Sequence, residues 1–187
     1  MNTLFSHVCV VTMDERMSVW TDAFVGVTDG KISYLSKHAP EEKPAQIIDA
    51  TGMVLMPGLI NCHTHLPMQL LRGYADDLKL QEWLNDYIFP REDRLDGRCV
   101  RAATTLAVAE CLKFGVTSVS DMYYFCDDIC DVIAKSGMKA NISRGTSMFL
   151  GDDFDFEKFP ACQELVALKN KWHNFDGGRI KIEASIH

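Results

Sequence analysis

The hydrophobic pattern changes character near residue 57. Before it, short runs rich in Val, Ile and aromatics (HVCVVTM, AFVGVTDGKISYLS, IIDATGMVLMP) are punctuated by turn residues, with no helical periodicity. Asp29-Gly30, between Ala23–Thr28 and Lys31–Ser36, is a two-residue hairpin signal. Residues 1–56 therefore read as β throughout.

After Pro57-Gly58, strand-like and helix-like stretches alternate. Leu59–His63, Val116–Met122, Met138–Arg144 and Arg179–Ile186 read as strands. Val100–Phe114, Asp127–Lys135 and Phe159–Trp172 read as helices, the first two closed by Gly115 and Gly137. This rhythm predicts βαβ units and a parallel sheet. No Gly-x-Gly-x-x-Gly follows the first of these strands, so the pattern favours a (β/α) barrel over a dinucleotide-binding fold. The expected organisation is a small β segment, 1–56, followed by four β/α units, 57–187. Residues 66–98 break the rhythm as one long connection, of the kind that sits at the catalytic face of a barrel.

Composition narrows the function classes. The 187 residues are 47% hydrophobic and 24% charged, an ordinary globular balance. A net charge of −7 gives no basic footprint for nucleic acid. No apolar run reaches the roughly 18 residues of a membrane span. The first residues lack a basic segment followed by a long apolar one, so no signal peptide is read there. Seven scattered cysteines without such a signal suit reduced thiols in the cytoplasm. Cys126 and Cys130 share a helical spacing, but no second Cys/His pair completes a zinc set, so they read as buried small apolar residues.

The stretch INCHTH carries the candidate chemistry. His63 and His65 are two apart, so on a strand both side chains project to one side. Two neutral imidazoles converging there suit a divalent ion such as Zn²⁺.

MPGLINCHTHLPMQLLRG resembles the metal-dependent amidohydrolase superfamily, with its Pro-Gly-hydrophobic-hydrophobic-Asn-x-His-x-His run. HTHLPMQLLRGYADDLKLQEWLNDYIFPRED is similar to the branch of methylthioadenosine/S-adenosylhomocysteine deaminases and triazine chlorohydrolases. The resemblance covers essentially the whole chain and about the first half of a complete family member. It implies the first half of a TIM-type (β/α)8 barrel preceded by a segment of a small β-sandwich. The implied chemistry is hydrolytic deamination of an adenosine-type nucleoside by water on zinc, with iron or manganese as other candidates for the one divalent ion.

The resemblance implies His63 and His65 as two metal ligands. Glu92, in FPRED, falls where a carboxylate accepts from ribose hydroxyls, and would otherwise be an exposed acid at a helix start. Arg144, in SRGT, falls where an arginine meets the polar tail of the substrate; the alternative is a structural ion pair. His187 falls on a histidine that contacts the nucleoside. Trp83 is read as a lid over the ligand or an anchor for its loop. Asp121 either orients a ligand histidine or caps a loop. Arg72 and Gly73 read as loop scaffolding.

The loop MFLGDDFDFEKFP departs from the branch: where a second arginine is expected it offers only Lys158. The remaining metal ligands and the acid/base groups are expected beyond residue 187. Other readings stay open, a hydrolase of triazines or other heterocycles and a catalytically silent fragment. The expected partners are a small nucleoside or heterocycle and a second copy of the chain or the missing half, with no nucleic acid and no membrane.

Overall fold

A computed structural model of the protein describes residues 1–146 and 153–186. The chain divides into two compact units, Met1–Pro57 and Gly58–His187.

The first unit is a five-stranded sheet. Strands β1 (Thr3–Val11), β2 (Val19–Thr28), β3 (Lys31–Ser36) and β4 (Gln46–Asp49) lie in the order β3-β2-β1-β4, and β5 (Val54–Leu55) pairs with β1. β2 and β3 form the expected hairpin. Asp29 and Gly30 both take positive φ, 48° and 74°, the backbone that a two-residue turn requires. Val8, Val10, Ala23, Val25 and Ala50 make its small core.

The second unit is a parallel sheet of β6 (Leu59–Thr64), β7 (Val116–Tyr123), β8 (Lys139–Thr146) and β9 (Ile180–Ile186), in chain order. Helices α1 (Gly97–Lys113), α2 (Cys126–Ser136) and α3 (Pro160–Trp172) connect these strands. α1 starts a turn earlier than its apolar rhythm suggests, because the Asp96 carboxylate accepts the Cys99 N–H at 2.7 Å and caps it. Gly115 and Gly137, at φ 80° and 79°, end α1 and α2. Asp127 and Asp128 in the first turn of α2 and Lys135 in its last complement the helix dipole. Ile129, Cys130 and Ile133 of α2 are fully buried in one cluster with Val119, Ile142 and Ile180 of the sheet. A β-carbon at Gly58 would collide with the Thr117 side chain, so the tight start of β6 requires glycine.

The connection 66–98 is more ordered than its sequence suggests. Leu66–Leu71 winds into a 3₁₀ turn with Pro67 in its first turn. Leu80–Glu92 is helical, and its middle, Trp83–Ile88, adopts the wide π form. Arg72 forks onto Glu110 of α1 at 2.9 and 2.5 Å, and Gln69 joins the same carboxylate at 2.5 Å. This ties the turn to the helix. No helix among the described residues is long and apolar enough to cross a membrane.

Candidate functional site at the ends of the parallel strands

The strand register sets out the site. Thr64 of β6 pairs with Asp121 of β7, and Tyr123 of β7 pairs with Arg144 of β8. Asp121, Arg144 and the end of β6 that carries His63 therefore lie at one end of the sheet.

His63 and His65 stand together, with ring centroids 4.9 Å apart and planes at 80°. Nδ1 of His65 lies 2.6 Å from the Met122 carbonyl. A carbonyl only accepts, so Nδ1 is the donor, and in the neutral ring Nε2 is the nitrogen left with a lone pair. This is the arrangement that fixes a metal-binding imidazole from behind. The hydrogen-bond partner behind His65 is thus a backbone carbonyl.

Asp121 serves the loop instead. Its Oδ1 accepts the Thr64 hydroxyl at 2.7 Å and the Leu66 N–H at 2.6 Å, pinning the chain as it leaves β6. Asp121 is 1% exposed, and burial pushes its pKa up to about 6 against the lowering by those two bonds and the nearby imidazoles. Its Oδ2 has no hydrogen-bond partner among the described residues. A buried orphan oxygen beside two imidazoles is an environment that a cation would relieve.

The donor chemistry fits a divalent ion in part. Two imidazoles are two of the roughly three protein ligands in a catalytic zinc site. Among the described residues no group of three or more His, Cys, Asp or Glu side chains comes together to hold a metal.

Glu92 and Arg144 line a separate cleft of about 950 Å³, together with Tyr124, Glu164 and Lys171. Tyr123 joins this cleft to the histidines. Its ring lies 6.3 Å from that of His65, and its hydroxyl donates to Oε1 of Glu92 at 2.5 Å. Burial and the neighbouring Glu92 charge push the Tyr123 pKa up, so its hydroxyl stays a donor. Arg144 bonds Glu164 at 2.6 Å through Nε, reaches the Gly145 carbonyl, and lies over the Tyr124 ring at 4.9 Å.

Trp83 is half-buried on the π turn and does not line this cleft. Lys158 pairs with Asp155 at 2.7 Å, and it too is absent from the cleft wall. His187 lies outside the described residues, as do residues 148–152 of the departing loop. Cys126 and Cys130 are buried, and burial raises both thiol pKa values, Cys126 to about 12, which leaves them unreactive packing residues. Tyr123 was not among the sequence candidates. Its position two residues after Asp121 on the same strand is the only signal the sequence offers.

The chain is 38% identical over 168 residues to a 5′-deoxyadenosine deaminase of Methanosphaera stadtmanae, covering 88% of the chain and 38% of that protein. It is 33% identical over 187 residues to a 5-methylthioadenosine/S-adenosylhomocysteine deaminase of Thermoanaerobacter pseudethanolicus, covering all of the chain and 43% of the relative. The chain thus spans less than half the length of these relatives. Its fold matches the crystal structure of atrazine chlorohydrolase TrzN from Arthrobacter aurescens TC1 complexed with zinc, with a TM-score of 0.86 at 20% identity, over 98% of this chain and 46% of that one. The model of the amidohydrolase family matches residues 54–187, the span that holds His63, His65, Glu92 and Arg144. By that match and by these relatives, the chain belongs to the amidohydrolase family.

Proposed function

We propose that this chain forms the N-terminal portion of a zinc-dependent enzyme that deaminates an adenosine-type nucleoside by hydrolysis, in the cytoplasm. One observation carries the reading: Tyr123 connects His65, whose Nε2 is free to bind a metal, with Glu92 in a cleft large enough for a nucleoside. The names of the two relatives support the substrate class.

In this reading His63 and His65 hold the ion, whose chemistry is to lower the pKa of a bound water from 15.7 to about 7. Glu92 accepts hydrogen bonds from the ribose hydroxyls, with its Oε1 held by Tyr123. Arg144 faces the rest of the nucleoside, His187 is assigned to it by the resemblance alone, and Trp83, off the cleft wall, anchors its loop. Asp121 holds the strand end so that the two imidazoles stay convergent. Further ligands and the acid/base groups belong to a part of the enzyme outside these 187 residues. The extent of the relatives supports this, as do Leu59 and Ile60, which stand exposed on the outer strand β6.

The test is ammonia release by the complete protein from a panel of adenosine-type nucleosides and amino-triazines, with zinc measured in parallel. Release from nucleosides with about one zinc per chain is expected. Activity confined to triazines would overturn the nucleoside assignment. A second reading, that the 187-residue chain is catalytically silent by itself, is favoured by the pair of candidate ligands that stands without a third among the described residues. Dialysed chain that keeps stoichiometric zinc would sink it.

A further inference from the structure

His65 is the candidate ligand whose direction the strand does not set. It lies between the end of β6 at Thr64 and the 3₁₀ turn Leu66–Leu71, with φ −130° and ψ 75°. Its carbonyl accepts the Met68 N–H at 2.9 Å, so the first bond of the turn closes on His65 itself. Where the turn moves, the backbone that carries this imidazole moves with it. The ring is then aimed by the bond from Nδ1 to the Met122 carbonyl.

The turn is held at two points. Asp121 holds its start through the Leu66 N–H, and Leu66 itself is buried in the core. Glu110 of α1 holds its end, with both oxygens engaged. Oε1 accepts from Nη1 of Arg72 at 2.9 Å, and Oε2 accepts from Nη2 of Arg72 and Nε2 of Gln69, each at 2.5 Å. Gly73, at φ 70°, lets the chain turn away directly after this fork. A fork fixes direction as well as distance, which a single contact does not. A turn held at one end could still pivot about it; held at both, it keeps one orientation. Arg72 stands exposed, so solvent screens the pair and its share of the overall stability is small. Its effect falls on the orientation of the turn.

We infer that Glu110 is a positioning residue for the metal site. By gripping Gln69 and Arg72 it fixes the turn that follows His65, and so keeps that imidazole beside His63 and bonded to the Met122 carbonyl. The inference rests on the reading of His63 and His65 as metal ligands and deepens it: the geometry of the pair is set in part from a helix that contributes no ligand.

The complete protein tests this through its zinc dissociation constant, from competition with a chelator, in the wild type, in E110A and in the exchange R72E/E110R. Urea unfolding of each is followed in the metal-free state. E110A should raise the constant on the order of tenfold, the lower end of what losing a group behind a metal-bound histidine costs. The exchange rebuilds the pair with its charges reversed, and the Gln69 amide can offer its oxygen to the introduced guanidinium. It should bring the constant back to within about threefold of the wild type. Should E110A fail to fold, R72K takes its place: it keeps the charge, loses the fork, and should raise the constant about threefold. An unchanged constant in the single variant, or an exchange that binds zinc as weakly as E110A, would overturn the role of Glu110 and leave His63 and His65 as ligands. Lost urea resistance with an unchanged constant would overturn it too, making Glu110 a support of the fold alone. A complete wild-type protein that binds no zinc would overturn the metal reading itself.

Discussion

The Tyr123 hydroxyl donates a 2.5 Å hydrogen bond to Oε1 of Glu92, joining the end of β7 to a helical turn 31 residues earlier in the chain. Tyr123 is 4% exposed, so its ring cannot swing away without opening the core. The bond fixes one carboxylate oxygen and leaves the other for a ligand.

Tyr123→Phe removes that donor and keeps the ring. A hydrogen bond to a charged group contributes about 1.5–3 kcal/mol, and only part of this reaches the ligand through Glu92. A five- to tenfold rise in KM for ribonucleosides follows, with kcat little changed and the free base unaffected. Steady-state kinetics on a nucleoside and its base compare the two directly. Equal losses on both would show that Tyr123 acts on the fold and not on Glu92.

His63→Ala and His65→Ala each remove one of the two imidazoles whose rings lie 4.9 Å apart. Zinc bound per complete chain should fall well below half, and deamination with it. Elemental analysis after dialysis, alongside ammonia release, reads both. The protein should melt close to the wild type in the metal-free state, because His63 is exposed and His65 half-buried. Normal zinc content in either variant would remove that residue from the ligand set.

Much of this was legible in the residues themselves. The Asp29-Gly30 turn declared its positive φ angles because few dipeptides adopt them. His63 and His65 do stand with their rings 4.9 Å apart, although His65 lies just past the end of β6, where strand alternation no longer dictates its direction. Other features depend on contacts that spacing does not encode. Tyr123 meets Glu92 only after β7 has paired with β6, and Glu110 meets Arg72 across 38 residues. The π turn at Trp83–Ile88 has the composition of an ordinary amphipathic helix, so its wider winding left no mark. Asp121 was narrowed to two roles by sequence, and its bonds to Thr64 and Leu66 fit that of a loop anchor.

Arg179 shows the same dependence on distant contacts and is a strong test of the fold. It donates to the carbonyls of Ile133, Ala134 and Met138 at 3.1, 2.9 and 2.6 Å, and pairs with Asp176 at 2.8 Å. Three carbonyls at and just after the end of α2 thus depend on one side chain. Arg179→Ala should cost about 2–4 kcal/mol, since unsatisfied carbonyls pay their desolvation. Arg179→Lys should recover only part, because an ammonium lacks the planar fork. Urea unfolding of the three proteins gives these differences. A loss under about 0.5 kcal/mol for the alanine variant would place these carbonyls in water's reach.

Asp121 sets a pH dependence whose sign is unusual for a carboxylate. Its ordinary value of 3.8 applies to the unfolded chain, while burial raises it to about 6 in the folded one. Below pH 3.8 both states hold the proton, and the residue contributes nothing to the slope. Between 3.8 and about 6 the folded state holds more protons than the unfolded state, so stability falls as pH rises. Above about 6 the cost is complete, on the order of 3 kcal/mol. Asp121→Asn keeps an oxygen for Thr64 and Leu66 and cannot ionise. In the metal-free protein, the stability of the wild type relative to Asp121→Asn should therefore drop by that amount between pH 4 and pH 7, measured by urea unfolding at each pH. A difference that stays flat across this window would mean that the carboxylate ionises as freely in the folded protein as in the unfolded chain, and that its buried Oδ2 has a partner in solution.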